Sequence, residues 1–283
     1  MRIALIGARG QLGTDLVESL DGDVVCLGHE EIEITDASSV ERVLSKIGPD
    51  RVINAAAYNL VDQAEDEPEV AYAVNACGPR HLARFCAARE IVLLHVSSDY
   101  VFGLDEGRSV PYRESDTPGP LSSYAVSKLS GEYFVRSQCP RHFVVRTCGL
   151  YGHAGARGKG NFVETMLRLS AERTELTVVD DQHCTPTATA DLARALAALI
   201  KTDAFGLYHA TNAGNTTWCG FAREIVRWTN RDVKIRPITS AEFGAPSSRP
   251  DYSVLDNSKL TATIGFELPP WENALSRYLE GRN

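Results

Sequence analysis

Lysine is scarce in this chain, with six in 283 residues, while aspartate and glutamate together number 37 and the formal net charge is −8. That deficit of positive charge, with a pI near 5.4, excludes non-specific binding to nucleic acid or to an anionic membrane surface, because both draw on an excess of Lys and Arg. Any anionic ligand must then be held by local donors. Long apolar runs are missing as well. Nothing approaches the roughly 20 residues needed to cross a bilayer, and the opening "MRIALIGARGQLG" runs straight into a strand and a glycine loop. A cytoplasmic protein is therefore expected. The seven cysteines (Cys26, Cys77, Cys86, Cys139, Cys148, Cys184, Cys219) form no C-x-x-C pair and are odd in number, which speaks against a zinc cage or a disulfide framework. Most are expected to act as small buried hydrophobes. Internal repeats and low-complexity tracts are also lacking.

What remains is the composition of a soluble globular protein, 43% hydrophobic and 23% charged, long enough for a sizeable core. Apolar runs rich in β-branched residues recur at 2–6, 23–27, 51–55, 91–96 and 143–146. Segments with helical spacing separate them at 12–19, 39–47, 68–89 and 123–138, the last stopped by Pro140. Strands alternating with helices predict an α/β fold with a doubly wound parallel sheet of the Rossmann type. After Gly149 the character shifts. "YGHAGARGKGN" suits a mobile loop, "SAEFGAPSSRPDY" is turn-rich, and 162–173 and 190–201 read as helices. Residues 151–283 are thus expected to form mainly a smaller, loop-rich lobe, some of whose elements return to the main sheet.

"GARGQLG" places Gly7, Gly10 and Gly13 directly after the first strand and at the start of a helix. A tight turn without Cβ atoms lets backbone N–H groups at a helix N-terminus approach a pyrophosphate. The pattern alone also describes an ordinary strand-to-helix turn, but its place in a βαβ unit marks residues 1–150 as a dinucleotide-binding domain. The second strand ends in "CLGHEE", so Gly28 and His29 stand where an acidic residue for a ribose 2′-hydroxyl is expected, with Glu30, Glu31 and Asp36 beyond. Asp36 either meets the adenine or caps the helix that follows. Arg9 either reaches a 2′-phosphate or faces solvent, and the balance leans to NADP(H) over NAD(H).

A Tyr-x-x-x-Lys spacing occurs once, at Tyr124 and Lys128. On a helix such a pair shares one face, so the ammonium is expected to lower the phenol's pKa toward the range useful for acid–base work. The competing reading is an ordinary amphipathic helix face. Against it stands "HVSSDYVFG", whose polar end Ser97-Ser98-Asp99 falls at the carboxyl edge of the sheet, where ligands of open parallel sheets bind.

Glycine loop, Ser-Ser-Asp and Tyr-x-x-x-Lys, in that order, resemble the extended short-chain dehydrogenase/reductase superfamily. "NAAAYNLVDQAEDEP", "PYRESDTPGPLSSYAVSKLSGE", "NFVETMLRL", "DDQHCTPT" and "RPDYSVLDNSKL" are similar to the dTDP-4-dehydrorhamnose reductase family within it. The resemblance implies a nucleotide-sugar substrate whose 4-keto group is reduced, with Tyr124 as proton donor, Lys128 on the nicotinamide ribose and Ser98 polarising the ketone. It implies cofactor contacts at Gly10, Gln11 and Leu12 beside Gly7, and at Ala55, Ala56 and Ala57. Asp99, Tyr100 and Asn161 fall where the substrate lies, and Arg249 either pairs with phosphate or pins its own loop.

Three departures stand out. Ser98 replaces the family's usual Thr and keeps the hydroxyl. Gly149 replaces an aromatic residue, and Ala190 stands at the position of an acidic residue that in some relatives holds a dimer-bridging magnesium, so no metal is expected. A homodimer is left open. Two other readings compete. One is a different nucleotide-sugar reductase or epimerase of the superfamily. The other is a non-catalytic, cofactor-binding subunit resembling the β-subunit of methionine adenosyltransferase.

Overall fold

In the computed structural model, which describes residues 1–156 and 160–282, each of the five β-branched runs becomes a strand. In chain order the first half comprises β1 (Arg2–Ile6), α1 (Gln11–Ser19), β2 (Asp23–Leu27), α2 (Ala37–Ile47), β3 (Arg51–Asn54), α3 (Pro68–Tyr72), α4 (Gly78–Ala87), β4 (Val92–Ser98), α5 (Ser123–Gln138) and β5 (His142–Thr147). The second half continues with β6 (Leu150–Tyr151), α6 (His153–Ala156), α7 (Phe162–Glu172), β7 (Glu175–Val179), β8 (His183–Cys184), β9 (Thr187–Ala188), α8 (Thr189–Leu199) and β10 (Gly206–His209). β11 (Thr216–Thr217), α9 (Trp218–Trp228), β12 (Lys234–Ile238), α10 (Ser240–Phe243), α11 (Ser258–Ile264) and α12 (Trp271–Glu280) complete it. Of the glycine-rich stretch expected as a mobile loop, Arg157, Gly158 and Lys159 lie outside the described residues.

Six strands form one parallel sheet in the order β10-β5-β4-β3-β1-β2. β10 comes from the second half of the chain and forms one edge. Successive side chains of a strand point to opposite faces, and both faces here are covered. Ile3, Leu5, Leu94 and Val96 pack with α1 and α8 on one side; Ala4, Val52, Leu93 and Val144 pack with α2 and α4 on the other. Double coverage explains why these strands read as continuous apolar runs rather than alternating ones. Chain order reverses between β1 and β3, so the crevice at their carboxyl ends is the switch point at which such sheets bind ligands. A separate apolar cluster holds the second half together, with Val163 and Met166 of α7, Phe221 and Ile225 of α9, and Trp271 and Tyr278 of α12.

Two differences from expectation bear on the site. β4 runs on through Ser98, two residues further than its apolar run, because Ser97 and Ser98 pair in register with Arg146 and Thr147 of β5. The segment 68–89 is not one helix. A π turn at Ala73–Cys77 separates α3 from α4. Pro79 supplies no N–H for the carbonyl four residues before it, that of Asn75, and this carbonyl faces α5, where a Cβ on Gly131 would stand 2.1 Å from it. The Asn75 side chain, bonded to both backbone groups of Tyr58 and to Ser127, fixes the turn.

Candidate active site

The cofactor side is built from backbone. Gly7 follows β1 with φ +81°, and a Cβ there would lie 2.7 Å from the Ala56 nitrogen. Gly13, one turn into α1, would press a Cβ to 2.2 Å from the Gly7 carbonyl oxygen. These contacts bring the loop onto Ala55 and Ala56 at the switch point and leave the space above it clear of side chains. Gly10 starts α1 with no side-chain cap, and the first turn carries no acidic residue, so free N–H groups and the positive helix end meet whatever lies there. A dinucleotide pyrophosphate fits that cradle.

The loop is also tied across the chain. Gln11 accepts from Gly152 N at 3.1 Å and from Asn161 Nδ2 at 2.9 Å, while Asn161 caps α7 by accepting from Glu164 N. Asn161, expected near the substrate, therefore joins the glycine loop to the second half. Arg9 is exposed and pairs with Glu31 and Glu30, and Glu31 also accepts from Gly28 N. Asp36 caps α2 by accepting from Ser38 N at 2.8 Å, the capping alternative for that residue. Ala57 is exposed beyond the half-buried Ala55 and Ala56.

The candidate catalytic side is built from side chains. Ser122 caps α5 by accepting from Ala125 N, and Glu65 accepts from both Ser123 N and Ser123 Oγ, at 3.0 and 2.9 Å. The helix that carries Tyr124 and Lys128 is thus fixed at its first turn. Tyr124 is 9% exposed and meets Tyr100 edge-on, with ring centroids 6.1 Å apart. The Ser98 hydroxyl faces that of Tyr124 and accepts from Tyr100 N at 3.2 Å. Lys128 is 2% exposed, and its Nζ donates to the Val96 carbonyl at 2.7 Å.

The expected tuning of Tyr124 by Lys128 is not found. Burial pushes the phenol up to about 12, moderated by the hydrogen bond with Ser98. Burial also draws the Lys128 ammonium down to about 8, opposed by the charge of Glu132. With the ammonium turned onto the β4 carbonyl, desolvation outweighs any benefit that shared helix spacing suggests.

Arg249 lies close to Tyr100. Its Nη2 pairs with both Asp62 oxygens at 3.0 and 2.9 Å, and its Nη1 donates to Ser247 O at 2.8 Å. It pins the segment around Ser247 to the loop after β3, and Ser247 adds a hydrogen bond to Glu65. Ser98, Tyr100, Tyr124 and Arg249 converge, with Lys128 one turn beyond Tyr124. Asp99 is 2% exposed, with its oxygens directed to Ser98 and Ser253. Such a site can hold a ketone between a hydroxyl donor and a protonated phenol beside a cofactor cradle.

Over residues 1–283 the chain matches the family described as RmlD substrate binding domain. The chain belongs to that family. A dTDP-4-dehydrorhamnose reductase of Streptomyces griseus is 44% identical over 97% of this chain and 92% of its own length. A dTDP-4-keto-6-deoxy-D-glucose reductase of Streptomyces niveus is 37% identical, over 98% and 96% of the two chains. Among solved structures, dTDP-4-dehydrorhamnose reductase from Bacillus anthracis in complex with NADP is 39% identical, with a TM-score of 0.93 over 99% of each chain.

Within the RmlD substrate binding domain family, this chain's Gly149 adopts φ +54°, and a Cβ there would lie 3.3 Å from Pro186 Cα and 3.4 Å from the Trp218 ring. An indole from α9 thus borders the place where an aromatic residue was expected. Sequence reasoning did not single out Asp62, Glu65, Ser247 or Ser253. Asp62 and Glu65 fall in the quoted "VDQAEDEP", but their partners lie up to 187 residues away, and no local pattern carries that pairing. Among the described residues, no helix is long and apolar enough to cross a membrane.

Proposed function

We propose that this chain reduces the 4-keto group of a nucleotide-linked deoxysugar, with dTDP-4-dehydrorhamnose to dTDP-rhamnose as the leading reaction and NADP(H) as the preferred cofactor. The convergence of Ser98, Tyr124 and Lys128 at the carboxyl edge of the sheet, beside the glycine cradle, carries the reading. The bound reduced nicotinamide supplies the hydride. Tyr124 supplies the proton to the developing alkoxide, and its raised pKa keeps it protonated throughout the neutral range. Ser98 donates a hydrogen bond to the ketone oxygen, where charge grows in the transition state. Lys128, whose Nζ donates to the Val96 carbonyl at 2.7 Å, would hold the nicotinamide ribose through its ammonium. Arg249 and Tyr100 bound the sugar nucleotide.

Arg9 supports the choice of NADP(H). Its pairs with Glu30 and Glu31 are solvent-screened surface pairs, so a dianionic 2′-phosphate competes with them. The S. niveus relative, named for a different 4-keto sugar, supports a 4-keto deoxysugar as the common substrate class.

The test follows NADPH and NADH oxidation by purified protein against dTDP-, UDP- and GDP-linked keto sugars. Oxidation with a dTDP-4-keto-6-deoxy sugar is expected, and no oxidation with any keto sugar overturns the reading. Tyr124→Phe is expected to lower kcat by about 10²–10⁴-fold while NADPH binding, followed by fluorescence, survives. A near-normal rate would reassign the acid.

A further inference from the structure

The Asp99 carboxyl sits behind the Ser98 hydroxyl rather than toward open space. Its Oδ1 is 3.2 Å from Ser98 Oγ, and its Oδ2 accepts from Ser253 Oγ at 2.6 Å. The Cys148 thiol also faces it. No lysine or arginine pairs with it among the described residues. A buried carboxylate without a cation is costly.

The count of protons at Ser98 turns this geometry into chemistry. A serine hydroxyl has one proton and two lone pairs. One lone pair already takes the Tyr100 N–H. If Asp99 is ionised, the contact to Oδ1 consumes Ser98's only proton, and the hydroxyl can only accept on its open side. If Asp99 carries a proton on Oδ1, the carboxyl donates to Ser98, both lone pairs are filled, and the hydroxyl proton must point outward, to the side that faces the Tyr124 hydroxyl and on which the ketone oxygen would lie.

We propose that Asp99 is a positioning residue which carries a proton in the working enzyme and thereby fixes Ser98 as a donor to the ketone oxygen. This rests on the reductase reading above. No proton is consumed at Asp99, because the one that ends on the product alcohol comes from Tyr124. Ser253 opposes the role by donating to the anion, so its strength sets how readily the site works.

The groups facing Asp99 are Ser98 and Tyr100 beside it, Tyr124 from α5, Cys148 after β5 with Cys184 behind it, and Ser253. Arg249 faces Tyr100 instead. Burial pushes the carboxyl up to about 6, against the pull of Cys148, Ser253 and Ser98. The protonated form is the active one, so kcat/KM falls as pH rises through that ionisation. It does so far below the ionisation of Tyr124.

The experiment measures kcat/KM for the keto sugar against pH in wild type, Ser253→Ala, Asp99→Asn and Ser98→Ala. Loss of the Ser253 donor removes a bond that favours the anion and is expected to move the limb up by about one pH unit. Asp99→Asn donates through its amide at every pH and abolishes the limb. Ser98→Ala also abolishes it, at a lower rate, because nothing is left to steer. A flat wild-type profile, a limb that stays put in Ser253→Ala, or one that persists in Ser98→Ala overturns the role.

Infrared difference spectra of the NADPH-bound protein give a readout independent of turnover. A protonated-carboxyl band is expected that titrates with the same midpoint, shifts in Ser253→Ala and vanishes in Asp99→Asn. Absence of that band in wild type on the acid side overturns the proposal even if no keto sugar turns over. Band present with no turnover would instead count against the reductase reading alone.

Discussion

Two arginine–carboxylate pairs lie at and beside α5, the helix that carries Tyr124 and Lys128, and they do different work. Arg146 of β5 and Glu132 of α5 are 1% and 0% exposed in their side chains, whereas Arg249 and Asp62 are 17% and 46% exposed. The buried pair is saturated. Glu132 takes Arg146 Nε at 2.9 Å and Nη2 at 2.7 Å, and also accepts from Ser97 Oγ at 2.6 Å. The guanidinium lies over the Phe102 ring and beside His209, which burial and the Arg146 charge draw down to about 3, so a second positive charge does not develop there. The outer pair joins two loops whose residue numbers differ by 187. The buried pair fixes helix to strand, one turn from Lys128; the outer pair ties the segment around Ser247, beside Tyr100, to the loop after β3. Similar bonds in a dry and a wet setting should differ several-fold in what they contribute to stability, and in the opposite sense in what they contribute to ligand binding.

The sharpest break of that comparison is Glu132→Ala. It strands a buried guanidinium, and a loss of about 3–5 kcal/mol is expected, measured by chemical denaturation of the ligand-free protein. A loss under 1 kcal/mol would put the two pairs in one class. Glu132→Gln sharpens the electrostatic side of the same contrast. The Lys128 ammonium, drawn down to about 8, is present below that pH and lost above it, and the Glu132 charge works against the depression. NADPH affinity should therefore weaken as pH rises through about 8 in wild type. The neutral amide lets Lys128 fall further, so the midpoint of that titration moves to lower pH. An unmoved midpoint would break the electrostatic link between the buried pair and the site.

The two settings also differ in how much of them sequence discloses. The glycine loop, the Ser97-Ser98 strand end and the Tyr124–Lys128 spacing are each local, governed by one turn, one strand or one helix face, and the structure brings them together at a single edge. The break at Ala73–Cys77 escaped because helical spacing runs through it unbroken, and only Pro79 hinted at an unpaired carbonyl. The raised phenol of Tyr124 escaped for a different reason, since spacing places an ammonium nearby but does not say which acceptor the ammonium chooses. Asp62–Arg249 and Asp99–Ser253 were illegible because they join segments 154 to 187 residues apart. At that separation nothing in the periodicity of either segment reports the other.

Smaller effects are expected at the outer pair. Arg249→Ala should raise KM for the keto sugar nucleotide by about tenfold, roughly the worth of one charge-assisted hydrogen bond, with little change in NADPH affinity. A KM within twofold of wild type would leave Arg249 as a loop pin alone.

Asp62→Ala is the mildest. The Arg249 hydrogen bond holds the Asp62 carboxyl below its ordinary value, so its stabilisation is present above the unfolded-state ionisation, near pH 3.9, and is lost as pH falls through the lower folded-state one. With nearly half of Asp62 in water, solvent screening limits the neutral-pH difference to about 1 kcal/mol or less. Denaturation of wild type and variant should therefore diverge slightly at neutral pH and converge in acid. A neutral-pH loss as large as that of Glu132→Ala, or a gap that widens on acidification, would show that the outer clasp carries structural load despite its exposure, and the contrast between the two pairs would then rest on something other than solvent.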